Sequence, residues 1–123
     1  MTIAAARASI KSALDGISGL TAHDHMPDLI SEFPAVAMRI ERVNYADLTY
    51  TFRLLLATAV WDEGQAQTDL DPFLENSGAS SIKAALAVDP GCTTLEAERV
   101  EKKLINGVAY TGAEILVMVT DTP

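Results

Sequence analysis

Apolar residues recur at helical spacing from the start of the chain: Ile3, Ala6, Ile10, Ala13, Leu14 and Ile17, with Arg7, Lys11 and Asp15 between them. Residues spaced this way form one stripe on a helix surface. Thr2 is a suitable cap, and Gly16 and Gly19 stop the pattern, so a helix is predicted over roughly 2–15. Its alanine run permits close approach to a neighbouring surface.

The period then changes from helical to alternating. Leu20 to His25 reads as a short strand leading into a loop that holds Pro27, Asp28 and Pro34. From Ala35 to Val43, the residues Val36, Met38 and Ile40 fall on one side, with Arg39 and Glu41 on the other. The next stretch alternates most strongly. Leu48, Tyr50, Phe52, Leu54, Leu56 and Val60 point one way, and Thr49, Thr51 and Arg53 the other. Asn44-Tyr45-Ala46-Asp47 between the two is short and turn-like, which predicts a hairpin. The second face turns apolar at Leu55, Ala57 and Trp61, so that end is expected to be covered on both sides.

Asp62-Glu63 opens a second helix with acidic residues at its positive end, and Ala66, Leu70, Phe73 and Leu74 are its buried stripe. The Leu70-Asp71-Pro72 step allows a kink. Asn76-Ser77-Gly78 ends this helix. Ile82, Ala85 and Leu86 give a third of about two turns, stopped by Asp89-Pro90-Gly91. Two strands are predicted last, over about 93–104 and 108–119, joined at Asn106-Gly107, a dipeptide suited to a type I′ turn. In the final strand Ile115, Val117 and Val119 share a side opposite Glu114. The fold class is therefore α+β: a mixed, mostly antiparallel sheet flanked by an N-terminal helix and two central helices.

Composition narrows this further. The 123 residues form one domain, 1–123, long enough to bury roughly 65% of the surface of the unfolded chain. No apolar run approaches the ~20 residues of a membrane-spanning helix, and no signal-peptide pattern is present, so neither membrane insertion nor secretion is expected. Cys92 is the one cysteine, which excludes an internal disulfide and suits a neutral thiol in a reducing compartment. Nine basic and 17 acidic residues give a net charge of −8. Duplex binding is driven by Lys and Arg neutralising phosphates, so specific nucleic-acid binding is not expected.

Candidate chemistry is sparse. His23-Asp24-His25 puts two imidazoles on one side of a strand, and Asp28 or Glu32 is near enough in sequence to complete a metal site. One H-x-H pair without further Cys or His is a weak signal, and surface histidines are the expectation. Gly78-Ala79-Ser80 lacks the nucleophile-elbow pattern, and Gly16-Ile17-Ser18-Gly19 has neither the length nor the lysine of a phosphate loop. Glu96 and Glu98 read as a solvated strand edge. Glu114 is expected to pair with Arg99, Lys102 or Lys103 across the terminal hairpin. Arg39, Glu41 and Arg53 should share one face of the central hairpin, as a charge ladder or as part of a subunit interface, where arginine is enriched. No enzyme, cofactor or metal follows from these residues.

Three stretches carry a resemblance. The first is Ala22-His23-Asp24-His25-Met26-Pro27-Asp28 followed by Phe33-Pro34-Ala35-Val36. The second runs from Leu70 to Leu86, where a helix gives way to a Ser-Gly loop and then Ser81-Ile82-Lys83-Ala84-Ala85, with Asp89-Pro90 where the last helix stops. The third is Asn106-Gly107-Val108-Ala109-Tyr110 leading into Gly112-Ala113-Glu114. Together they cover about half the chain, and in this order it resembles the tail terminator proteins of long-tailed (siphovirus-type) bacteriophages, particularly those of actinobacteria. Glu101-Lys102-Lys103 before the hairpin departs from the family pattern.

The resemblance implies a structural virion protein. It would form a six-membered ring of identical subunits at the head-proximal end of the tail tube, stop tube polymerisation and offer a surface for head–tail joining. Implied partners are further copies of the chain, the major tail tube protein and a head-completion or connector protein. DNA would pass through the lumen without specific binding. The implied location is the virion tail, and the host cytoplasm during assembly. A head–tail connector is the neighbouring alternative, and a small ligand-binding or enzymatic domain is a more distant one. Asp24, Asp28, Glu32, Arg39, Arg53, Asn76, Ser77 and Ser80 are the candidate interface residues, chosen for exposed charge or loop position.

Overall fold

A three-residue strand on one side of a long hairpin, and a bulged strand on the other, bound the sheet of this protein. A computed structural model describes residues 2–27, 30, 32–58, 63–88, 91–98, 101–105 and 108–120, with backbone alone at 63, 101–105, 108 and 109. The elements run α1 (Ile3–Asp15), β1 (Thr21–His23), β2 (Ala35–Asn44), β3 (Thr49–Thr58), α2 (Glu63–Leu74), α3 (Ile82–Leu86), β4 (Cys92–Ala97), β5 (Glu101–Ile105) and β6 (Val108–Thr120). The sheet order is β1-β2-β3-β6-β4, with β5 also paired to β6. Only β1 and β2 run parallel; the other pairs are antiparallel. The α+β class and the mostly antiparallel mixed sheet are as expected.

Local chemistry accounts for most boundaries. Thr2 Oγ1 accepts from the Ala5 N–H at 3.0 Å and caps α1. The chain leaves α1 through Gly16 and turns at Gly19, whose φ of +81° lies in the left-handed region open to glycine. Asn44 organises the central hairpin: its Oδ1 accepts from the N–H groups of Ala46 (3.0 Å) and Asp47 (3.1 Å). Leu48 belongs to that turn. It is exposed at φ +55°, so the strand begins at Thr49 rather than at Leu48 as its apolar character suggested. Ser81 caps α3, its Oγ accepting from the Ala84 N–H at 3.1 Å and donating to the Glu75 carbonyl at 2.6 Å. Pro72 lies inside α2, which continues to Leu74.

The strand anticipated over 93–104 is two. Ala97 pairs with Ile115 and Glu101 with Gly112, so four steps along this edge match three along β6. A second irregularity falls between Thr94 and Glu96. Extra residues of this kind break the ladder and bend the strand. Ile105 pairs with Val108, leaving Asn106-Gly107 as the connection; the turn itself, like Val60, Trp61 and Asp62, lies outside the described residues.

All three helices cover one face of the sheet. Ala6, Ile10 and Leu14 of α1, Ala66, Leu70 and Phe73 of α2, and Ile82 and Leu86 of α3 pack on Val36, Met38, Phe52, Leu54, Leu56, Ala113, Ile115, Val117 and Val119. Cys92 belongs to the same core. The predicted stripes and alternations name every one of these residues except Ala113 and Cys92. On the opposite face Ile30, Ala35, Leu55, Ala57 and Tyr110 form a smaller cluster under the β1–β2 loop, joined by Met26 and Phe33. Phe33 and Tyr110 rings meet at 5.2 Å between centroids. That end of β3 is covered on both sides, as its apolar run required. Gly112 is needed where β6 passes β3: a Cβ there would overlap the Leu56 carbonyl and lie 3.2 Å from Ala57 Cα.

Candidate functional site

Beyond the loop-covered end, no described element covers the second face of the sheet, which carries the densest charge cluster among the described residues. β2 and β3 place Arg39 directly opposite Arg53, an unfavourable pairing of like charges. Glu41 relieves it. The register slips between Ile40 and Arg42, so Glu41 is the extra residue of a bulge, and its carboxylate reaches both cations. It stands 3.2 Å from Arg53 Nε and 3.7 Å from Arg39 Nε.

From the other side β6 supplies Glu114, whose Oε2 lies 2.5 Å from Arg53 Nη1. Glu98, just past β4, approaches the same nitrogen at 3.9 Å. Glu41 first, then Glu114, raise the Arg53 pKa above its ordinary value by hydrogen bonding, against partial desolvation. Arg53 is thus a clamp across three strands, its charge satisfied by surrounding carboxylates. Arg53, from a strand 61 residues away in sequence, is a partner of Glu114 not expected from the sequence; Arg99 and the side chains of Lys102 and Lys103, the expected partners, lie outside the described residues. Sequence pattern put both on one face but could not say that β3 and β6 are neighbours.

Half-buried Leu116 and Met118 continue this open face, beside Arg53 and Thr51 respectively. Arg39 and Arg53 are the two interface candidates that the fold brings together. The others lie apart. Asp24 is exposed just past β1 and bonds His25 Nδ1 at 2.7 Å, which holds its carboxyl below the ordinary value. Glu32 accepts from Thr21 Oγ1 at 3.3 Å. Asn76, Ser77 and Ser80 are in the α2–α3 loop, where Asn76 accepts from the Lys83 ammonium. Asp28 lies outside the described residues. The strand ends at His23, before His25, so the two imidazoles do not share the strand geometry assumed for a metal pair. Among the described residues no group of three His, Cys, Asp or Glu side chains is placed to hold a metal ion.

Two concavities matter. One of about 240 Å³ lies beside β4 and is lined by Phe73, Leu74, Ile82, Thr94 and Ile115. It is smaller than the ~300–1,000 Å³ of typical small-molecule sites. The other, about 420 Å³ and open, borders β2 where β1 stops, between Arg7, Asp24, His25, Met38 and Arg39. No described helix is long and apolar enough to cross a membrane. No protein-family model matches this chain, and no curated protein matches it.

Proposed function

We propose that this chain is a structural protein of a long-tailed bacteriophage, the terminator that caps the head-proximal end of the tail tube as a ring. The observation that carries the reading is the one-sided sheet. Three helices close one face, while the other keeps an arginine clamp, half-buried Leu116 and Met118, and exposed Arg39 beyond its loop-covered end. A domain built this way has a stable body and a face left for neighbours. The ordered resemblance of its three stretches to tail terminators supplies the identity of the assembly.

A ring ends growth because its far side no longer repeats the docking surface of the tube. Part of the −8 charge would line the channel, where acidic side chains keep DNA from adhering. The test is electron microscopy of lysates from phage carrying a stop codon at Trp61. Overlong, headless tubes are the expected result. Tails of normal length that fail to join heads would assign the chain to the connector, and normal particles would overturn both assignments.

A further inference from the structure

Among the described residues the outer sides of β2, beyond Ala37, and of β4 have no neighbouring strand, and the two stretches differ in charge. On one side β1 covers β2 only from Ala35 to Ala37, so among the described residues no strand lies beside Met38–Asn44 on the side away from β3. Arg7, His25 and Arg39 border the open cleft there, and Arg42 is exposed further along. Of the nearby acids, Asp24 bonds His25, and Glu41 lies closer to Arg53 (3.2 Å) than to Arg39 (3.7 Å), so one carboxylate is shared between two cations. On the far side β4 ends the sheet and carries exposed Leu95 and Glu96; Glu98, just beyond it, is also exposed and lies 3.9 Å from Arg53. A cationic edge is unexpected in a chain of net charge −8.

We propose that the β2 edge of one copy receives the β4 edge of a second copy, head to tail. Unpaired strand edges offer backbone donors and acceptors to one another, and opposite charge selects the β2–β4 pairing over β2–β2 or β4–β4. The bulges at Glu41 and between Thr94 and Glu96 bend both edges. They confine the contact to a short ladder, so the side chains carry much of the selectivity. Because each copy spends one edge of each kind, the contact propagates, and a constant rotation between copies closes it. Closure is the only element that rests on the ring reading above.

The test is sedimentation velocity of the full chain over a concentration series, at low and high salt, with Arg39→Glu, Glu96→Lys and their equimolar mixture. Wild type should self-associate, more weakly at high salt, and each variant should weaken association by at least about tenfold. The mixture should recover it, since each altered edge then meets its complement. A monomeric wild type, association indifferent to both variants, or a mixture no better than either alone would overturn the proposal. Circular dichroism checks folding, with Arg39→Gln and Glu96→Gln as milder replacements. Tube length in the stop-codon phage does not bear on this result, so the edge contact and the terminator assignment can fail separately.

Discussion

The two faces of the sheet are made from the same three long strands and do different physical work. Toward the helices, Phe52, Leu54, Leu56, Ile115, Val117 and Val119 are almost fully removed from water. Toward the open side, the alternate positions Thr51, Arg53, Glu114, Leu116 and Met118 remain partly wet. Burial of apolar area supplies stability without direction, whereas an ion cluster supplies little net stability and much geometry. The covered face accordingly holds the fold together, and the open face positions charge across β2, β3 and β6. An account of function belongs on the second face and at the edges.

The largest test of that contrast compares Phe52→Ala with Leu116→Ala. Removing the fully buried ring should cost about 3–5 kcal/mol, whereas the half-buried leucine should cost below about 1.5 kcal/mol. Urea denaturation with an unchanged slope would measure both. Equal losses would mean that the open face is a second core.

Arg53→Met comes next. It leaves Glu41 and Glu114 without their shared cation and should cost about 1–3 kcal/mol. Adding Glu114→Gln should recover part of the loss, and a strictly additive double variant would show that the pair does not interact. The raised Arg53 pKa contributes stability at any pH below its ordinary value, fading only at strongly alkaline pH, so it predicts no change between pH 5 and 9.

Ser81→Ala tests the helical layer from its margin. Loss of both the Glu75 and Ala84 hydrogen bonds should cost about 1–2 kcal/mol, seen as a lower urea midpoint. The smallest effect is at Asp24. His25 holds its carboxyl below the ordinary value, so the stabilisation is present above that value and is lost as pH falls through the folded-state pKa. Asp24→Asn should therefore leave stability at pH 7 nearly unchanged and slightly flatten the acid limb below about pH 4. A marked loss at pH 7 would give this exposed loop a structural role that its bonding does not suggest.

Local patterns by themselves determined the covered face. The stripe Ala6-Ile10-Leu14, the alternation Phe52-Leu54-Leu56 and the Thr2 cap all act over a few residues, and each is in place in the fold. The double coverage of Leu55 and Ala57 was also legible, because an apolar residue on both sides of a strand needs two covers. Tertiary structure alone decided the rest. Glu114 finds Arg53 because β6 lies against β3, and the last edge breaks into β4 and β5 because its register with β6 slips twice. Leu48 turns out of its strand because Asn44 closes the hairpin before it. Periodicity specifies which side of an element is apolar; strand neighbours, register and ion partners arise only when distant segments meet.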